Sequence, residues 1–115
     1  MGDKPATIPK IDDKVIEEIV ARLLEAAPPG SKVILFGSQA RGDADALSDV
    51  DVMVVEPEVK NATSEALRLE NELNPLRVPV DVVVTSTANF DYWRDTVNTL
   101  YYRVAREGRA YEAPR

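Results

Sequence analysis

Apolar residues switch between helical and strand spacing along this chain. Val15, Ile16, Ile19, Val20, Leu23 and Leu24 recur at intervals of three or four, which predicts an amphipathic helix from Asp12. Asp12 and Asp13 sit at its electrostatically favourable N-terminal end, and Pro28-Pro29-Gly30 stops it. The run Val33-Ile34-Leu35-Phe36 predicts a strand over 32–36, and a second strand over 50–55 is stopped by Pro57. A second helix over 61–74 turns Ala66, Leu69 and Leu73 inward, with Asn61 or Thr63 as cap and Pro75 closing it. Strand three covers 78–85. A last helix over 88–107 places Trp93, Val97, Leu100, Tyr101 and Val104 on one stripe, and Gly108 suits its C-terminal cap. Residues 1–10, with Gly2, Pro5 and Pro9, read as a flexible lead-in, which leaves 11–115 as one domain. The alternation implies an α+β fold: a short mixed β-sheet with helices packed on it.

Composition narrows the chemistry. At 115 residues the chain builds one core but no separate substrate domain, so an acceptor must be held largely by something else. The net charge of −6 disfavours direct nucleic-acid binding, which depends on basic residues displacing counterions. With no cysteine and no histidine, any metal is a hard one with oxygen ligands. No apolar run is long enough for a membrane span and no signal-peptide core opens the chain, so a cytoplasmic location is the expectation.

The candidate site lies where the first two strands meet. Gly37-Ser38 follows strand one, ten residues intervene, and Asp49-Val50-Asp51 opens strand two, with Ser48 just before it. Side chains alternate along a strand, so Asp49 and Asp51 share a face and repel each other unless something positive sits between them. A divalent cation meets that need. Glycine lets backbone approach a phosphate closely, and N–H groups at a helix start attract anions. Gly37 and Gly42 have the spacing of a P-loop, but Asp43 stands where lysine is required, so that reading fails. Asp43 and Asp45 make no calcium loop either, because Leu47 occupies the third ligand position. Asp81 is a lone acid among Val78, Val80, Val82, Val83 and Val84. Beside Pro79 it is either an edge-strand side chain reaching water or a member of the site. Phe90, Tyr92 and Tyr102 fall outside the last helix's apolar stripe and are candidates for a partner surface or for edge packing.

The pattern Gly37-Ser38, ten residues that include Ala40-Arg41-Gly42, and then Asp49-x-Asp51 resembles the nucleotidyltransferases of the DNA polymerase beta superfamily. At this length it is most similar to the minimal nucleotidyltransferases that act as antitoxin-type partners of HEPN-domain toxins. The resemblance implies Asp49, Asp51 and Asp81 as catalytic metal ligands holding two Mg2+ ions, with Asp81 the third carboxylate from the following strand. It implies Gly37, Ser38, Arg41 and Ser48 as nucleotide-binding. Arg41 would contact phosphates or hold an acid in place, and sequence does not separate the two. The implied reaction moves AMP from ATP to a hydroxyl, a tyrosine of a cognate HEPN toxin. Two alternatives stay open: a small-molecule acceptor held with a helical partner subunit, and a non-catalytic antitoxin that masks its toxin by binding.

Overall fold

The computed structural model describes residues 13–37 and 49–112, so Ser38, Arg41, Ser48 and the lead-in lie outside the described residues. Among those described, helix α1 (Asp13–Ala26) leads to β1 (Lys32–Phe36), and β2 (Val50–Glu56) to α2 (Ala62–Leu73) with a 3-10 turn at Asn74–Leu76. Strand β3 (Val80–Ser86), α3 (Thr87–Trp93), α4 (Leu100–Glu107) and β4 (Arg109–Glu112) follow. The sheet order is β3-β2-β1-β4; β2 and β3 are parallel and the other pairs antiparallel. This is the expected α+β domain with a short mixed sheet.

The central strands β1 and β2 are apolar on both faces because helices cover both. On one face Val33, Leu35, Val50, Val52, Val54, Val82 and Val84 pack against Ile16, Ile19, Val20 and Leu23 of α1 and Leu69 and Leu73 of α2. On the other, Ile34, Phe36, Met53 and Val55 pack against Phe90 of α3 and Val104 of α4. Asn61 caps α2 as expected, its side chain accepting from the Ser64 N–H at 2.9 Å. The outer edge of β3 is partly closed by α2, since Glu70 accepts a 3.4 Å hydrogen bond from the Val82 N–H.

The C-terminal third departs from the expected single helix. Asn98 adopts a left-handed φ of 72°, and the Thr99 side chain accepts from the Tyr102 N–H as a new N-cap. Two short helices therefore replace one, and the apolar stripe is redrawn. Val97 and Trp93, expected inside, are 62% and 37% exposed, while Phe90 is 3% exposed and forms the core contact. Strand β4 was not expected at all; it pairs with β1 from Lys32 opposite Glu112 to Leu35 opposite Arg109. Gly108 does follow the helix, but for space rather than for a left-handed turn. A β-carbon there would collide with Ile34 Cγ2, and its φ is −79°.

Candidate active site

Register brings the acids together. In the parallel pair Asp51 lies opposite Asp81, and in the antiparallel pair Asp51 lies opposite Phe36, the residue before Gly37. Adjacent strands are about 4.8 Å apart, so the two carboxylates leave neighbouring backbones on the same face. Asp49 sits just outside β2 and, like Asp81, is exposed; Asp51 is half-buried. Burial first, then repulsion from Asp81 and Asp49, pushes the Asp51 carboxyl above its ordinary value, and Arg103 does not cancel that. Asp49 and Asp81 therefore both act on Asp51 across two strand starts.

Gly37 completes this corner. Its φ of 77° is a conformation that side chains rarely adopt, and a β-carbon built on it would lie 2.5 Å from Asp51 Oδ2. The turn leaving β1 thus leaves the Asp51 carboxylate room only because residue 37 has no side chain. Gly37→Ala is expected to cost about 1–2 kcal/mol from the left-handed backbone alone. It should also displace Asp51 and lower activity more than stability. Paired melting and activity measurements check this; an unchanged turnover would show that the corner tolerates the shift.

Arg103 was missed by the sequence reading. It is exposed on α4, and it reaches the acids electrostatically because α4 lies over the face that Asp51 shares with Met53 and Val55. Its only signal in sequence is a cation one residue before the buried Val104. Asp81 lies on the edge strand and reaches water, as one of its two readings anticipated, yet the register also places it against Asp51. Among the described residues, no three acid, histidine or cysteine side chains are grouped so as to hold a metal ion.

Paired strand-start acids beside a glycine turn agree with the sequence match. Residues 14–106 match the nucleotidyltransferase domain model, most of the chain. The chain belongs to the nucleotidyltransferase domain family. Solved structures resemble it as well. A candidate nucleotidyltransferase from Sulfolobus solfataricus superposes with a TM-score of 0.54 at 28% identity, covering 69% of this chain and 70% of that one. A toxin–antitoxin structure containing AMP-PNP gives a TM-score of 0.61 at 22% identity, covering 84% of this chain and 73% of that one. At that identity the second likeness bears on fold alone. No curated protein sequence matches this nucleotidyltransferase. No helix among its described residues is long and apolar enough to cross a membrane.

Proposed function

We propose that this nucleotidyltransferase moves AMP from ATP to a hydroxyl acceptor, a tyrosine of a HEPN-domain toxin, and acts as an antitoxin in the cytoplasm. The observation that carries the catalytic reading is Asp51 in register with Asp81 beside a glycine that cannot be replaced without striking Asp51. The family match supports the reaction class, and the toxin–antitoxin likeness suggests the partner. A protein partner is also favoured by the exposed Tyr92–Trp93 edge-to-face pair that ends α3, with Val97 exposed in the segment that follows.

The donor set suits magnesium. Every candidate ligand is a carboxylate, the acids repel without a cation, and the chain has no histidine or cysteine to offer. Magnesium keeps several waters and substrate phosphates in its shell, so a site short of three converging protein groups is compatible with it. In this reading Asp49, Asp51 and Asp81 hold two Mg2+ ions. When bound, they neutralise the triphosphate and make the acceptor hydroxyl more acidic. Gly37, Ser38, Arg41 and Ser48 hold the triphosphate, and Asp81 takes the acceptor's proton. The acceptor oxygen bonds to the α-phosphorus as the bond to the bridging oxygen breaks, and pyrophosphate leaves.

ATP with magnesium should raise the melting temperature, as any ligand selective for the folded state does, by an amount equivalent to about 2.7 kcal/mol at a hundredfold excess over Kd. Zinc should give no specific tight binding. No shift with millimolar ATP and magnesium would contradict the assignment of a nucleotide site.

A further inference from the structure

One edge of the sheet is partly closed and the other is open. Glu70 of α2 reaches the Val82 N–H on β3, whereas β4 pairs only with β1 among the described residues. Strand direction decides which β4 groups face outward. Val50 belongs to the α1-side core and turns its N–H to the Pro79 carbonyl, toward β3 and away from β1. β4 runs the same way as β2, because each is antiparallel to β1. Side-chain face and strand direction together fix the edge to which a residue's N–H and C=O point. Tyr111 also lies on the α1 side, so its backbone groups turn to β1. Ala110 and Glu112, both exposed, turn theirs outward. An edge of this kind is a template for another strand.

Beside that edge, α1 and β4 bound a groove of about 440 Å³. Val20, Ala21, Leu24 and Tyr111 make its apolar wall, and its charged groups are Glu17, Glu25 and Glu112. No lysine or arginine lines it among the described residues. Arg22, near Glu25, is held by Glu18 at 2.8 Å, and Lys32 stands opposite Glu112 on β1. A second copy of this chain fits poorly, since pairing β4 with itself would set two acidic rims against each other. A basic, extended segment fits better. The chain carries one just before α1: Lys4-Pro5-Ala6-Thr7-Ile8-Pro9-Lys10 holds two lysines and no acid.

The prolines of that segment match the edge. Pro5 and Pro9 are four apart, so in an extended strand their missing N–H groups fall on one side. Turned outward, they leave Ala6 and Ile8 to pair with β4 and prevent a further strand from adding. The turn after Ala26 brings β1 back along α1, so α1 starts at the Leu35–Arg109 end of the sheet. A segment leading into α1 from that end runs antiparallel to β4. We propose that residues 4–10 add to β4 as an antiparallel strand, with Ile8 opposite Ala110 and Ala6 opposite Glu112. Opposed residues share a face, so Thr7 meets Tyr111 over the apolar groove with a proline on either side, and Lys4 lies diagonal to Glu112. From Lys10, three peptide units span about 10 Å to the first residue of α1. This strand closes the sheet, and it stands independently of the transfer reaction.

Amide hydrogen exchange of the full chain tests the pairing. The Ala110 and Glu112 amides should be protected, together with Ala6 and Ile8 and not Thr7. Ile8→Pro removes an N–H aimed at β4 and should speed exchange at Ala110 and Glu112 at least about tenfold. Thr7→Pro removes one aimed at solvent and should leave both unchanged. Slow exchange at Val52 and Val54 in each variant shows that the core is intact, and in the wild-type protein nuclear Overhauser contacts should join Tyr111 to the lead-in prolines. Free exchange at Ala110 and Glu112 in the wild-type protein, or equal effects of the two proline changes, would overturn the proposal. Protection that grows with protein concentration would also overturn it, by placing a second copy on the edge.

Discussion

Asp51→Asn should abolish nucleotidyl transfer, by about a thousandfold or more, the scale on which loss of a group acting on transition-state charge is felt. The same change should leave the melting temperature equal or higher. Asp51 is half-buried and repelled by Asp81 and Asp49, so neutralising it removes a cost that folding now bears. This opposition of effects separates a catalytic acid from a structural one, whose loss would lower stability and activity together. Turnover at the wild-type level under saturating magnesium would remove Asp51 from the mechanism.

Stability should fall as pH rises toward 8, and Glu56 is the reason. Burial, then its hydrogen bond with Glu65, raises the Glu56 carboxyl from 4.5 to about 8, so the folded protein keeps a proton that the unfolded chain releases. Its stabilising contribution is complete below 4.5 and is lost as pH climbs through 8. Glu65 runs the other way. Arg68, then Glu56, hold it down at about 2, so its contribution is present above 4.5 and lost as pH falls through 2. The pair thus shares one proton between those limits and favours the fold most near pH 4.5. The slope on the basic side is on the order of 1.4 kcal/mol per pH unit at its steepest. Urea unfolding at a series of pH values should show this slope, and Glu56→Gln should flatten it, because an amide can donate to Glu65 without titrating. Parallel profiles for the two proteins would contradict the shared proton.

Local signals carried much of this in advance. The period of α1, the cap at Asn61 and the valine runs of β2 and β3 are written in adjacent residues, and the structure places those elements within a residue or two. That Asp81 joins Asp51 was implied by the family resemblance alone; the strand assignments did not fix their register, which the structure supplies. What escaped depends on contacts distant in sequence. Arg109–Glu112 has little strand character of its own and is held by β1, more than seventy residues earlier. The break between α3 and α4 was signalled by Asn98-Thr99, a left-handed residue and a cap, but the apolar spacing from Trp93 to Val104 concealed it. For the same reason Phe90 fell outside the stripe, as partner surface or edge packing, and the structure buries it. Glu56 stood out only once α1 and α2 had enclosed it, and Arg103 only once α4 covered the face that carries Asp51. The roles of Ser38, Arg41 and Ser48 rest on the motif alone.

The most direct measurement is label transfer. The protein is mixed in substoichiometric amount with a HEPN-domain partner, magnesium and ATP labelled at either the α- or the γ-phosphate. The account predicts that α-label alone becomes covalently attached to the partner, with pyrophosphate released and a mass gain of about 329 Da per modified site. The attachment should persist after this protein is removed and should disappear with Asp51→Asn. Transfer of γ-label, or full silencing of the partner at equimolar protein without ATP and without any adduct, would contradict it.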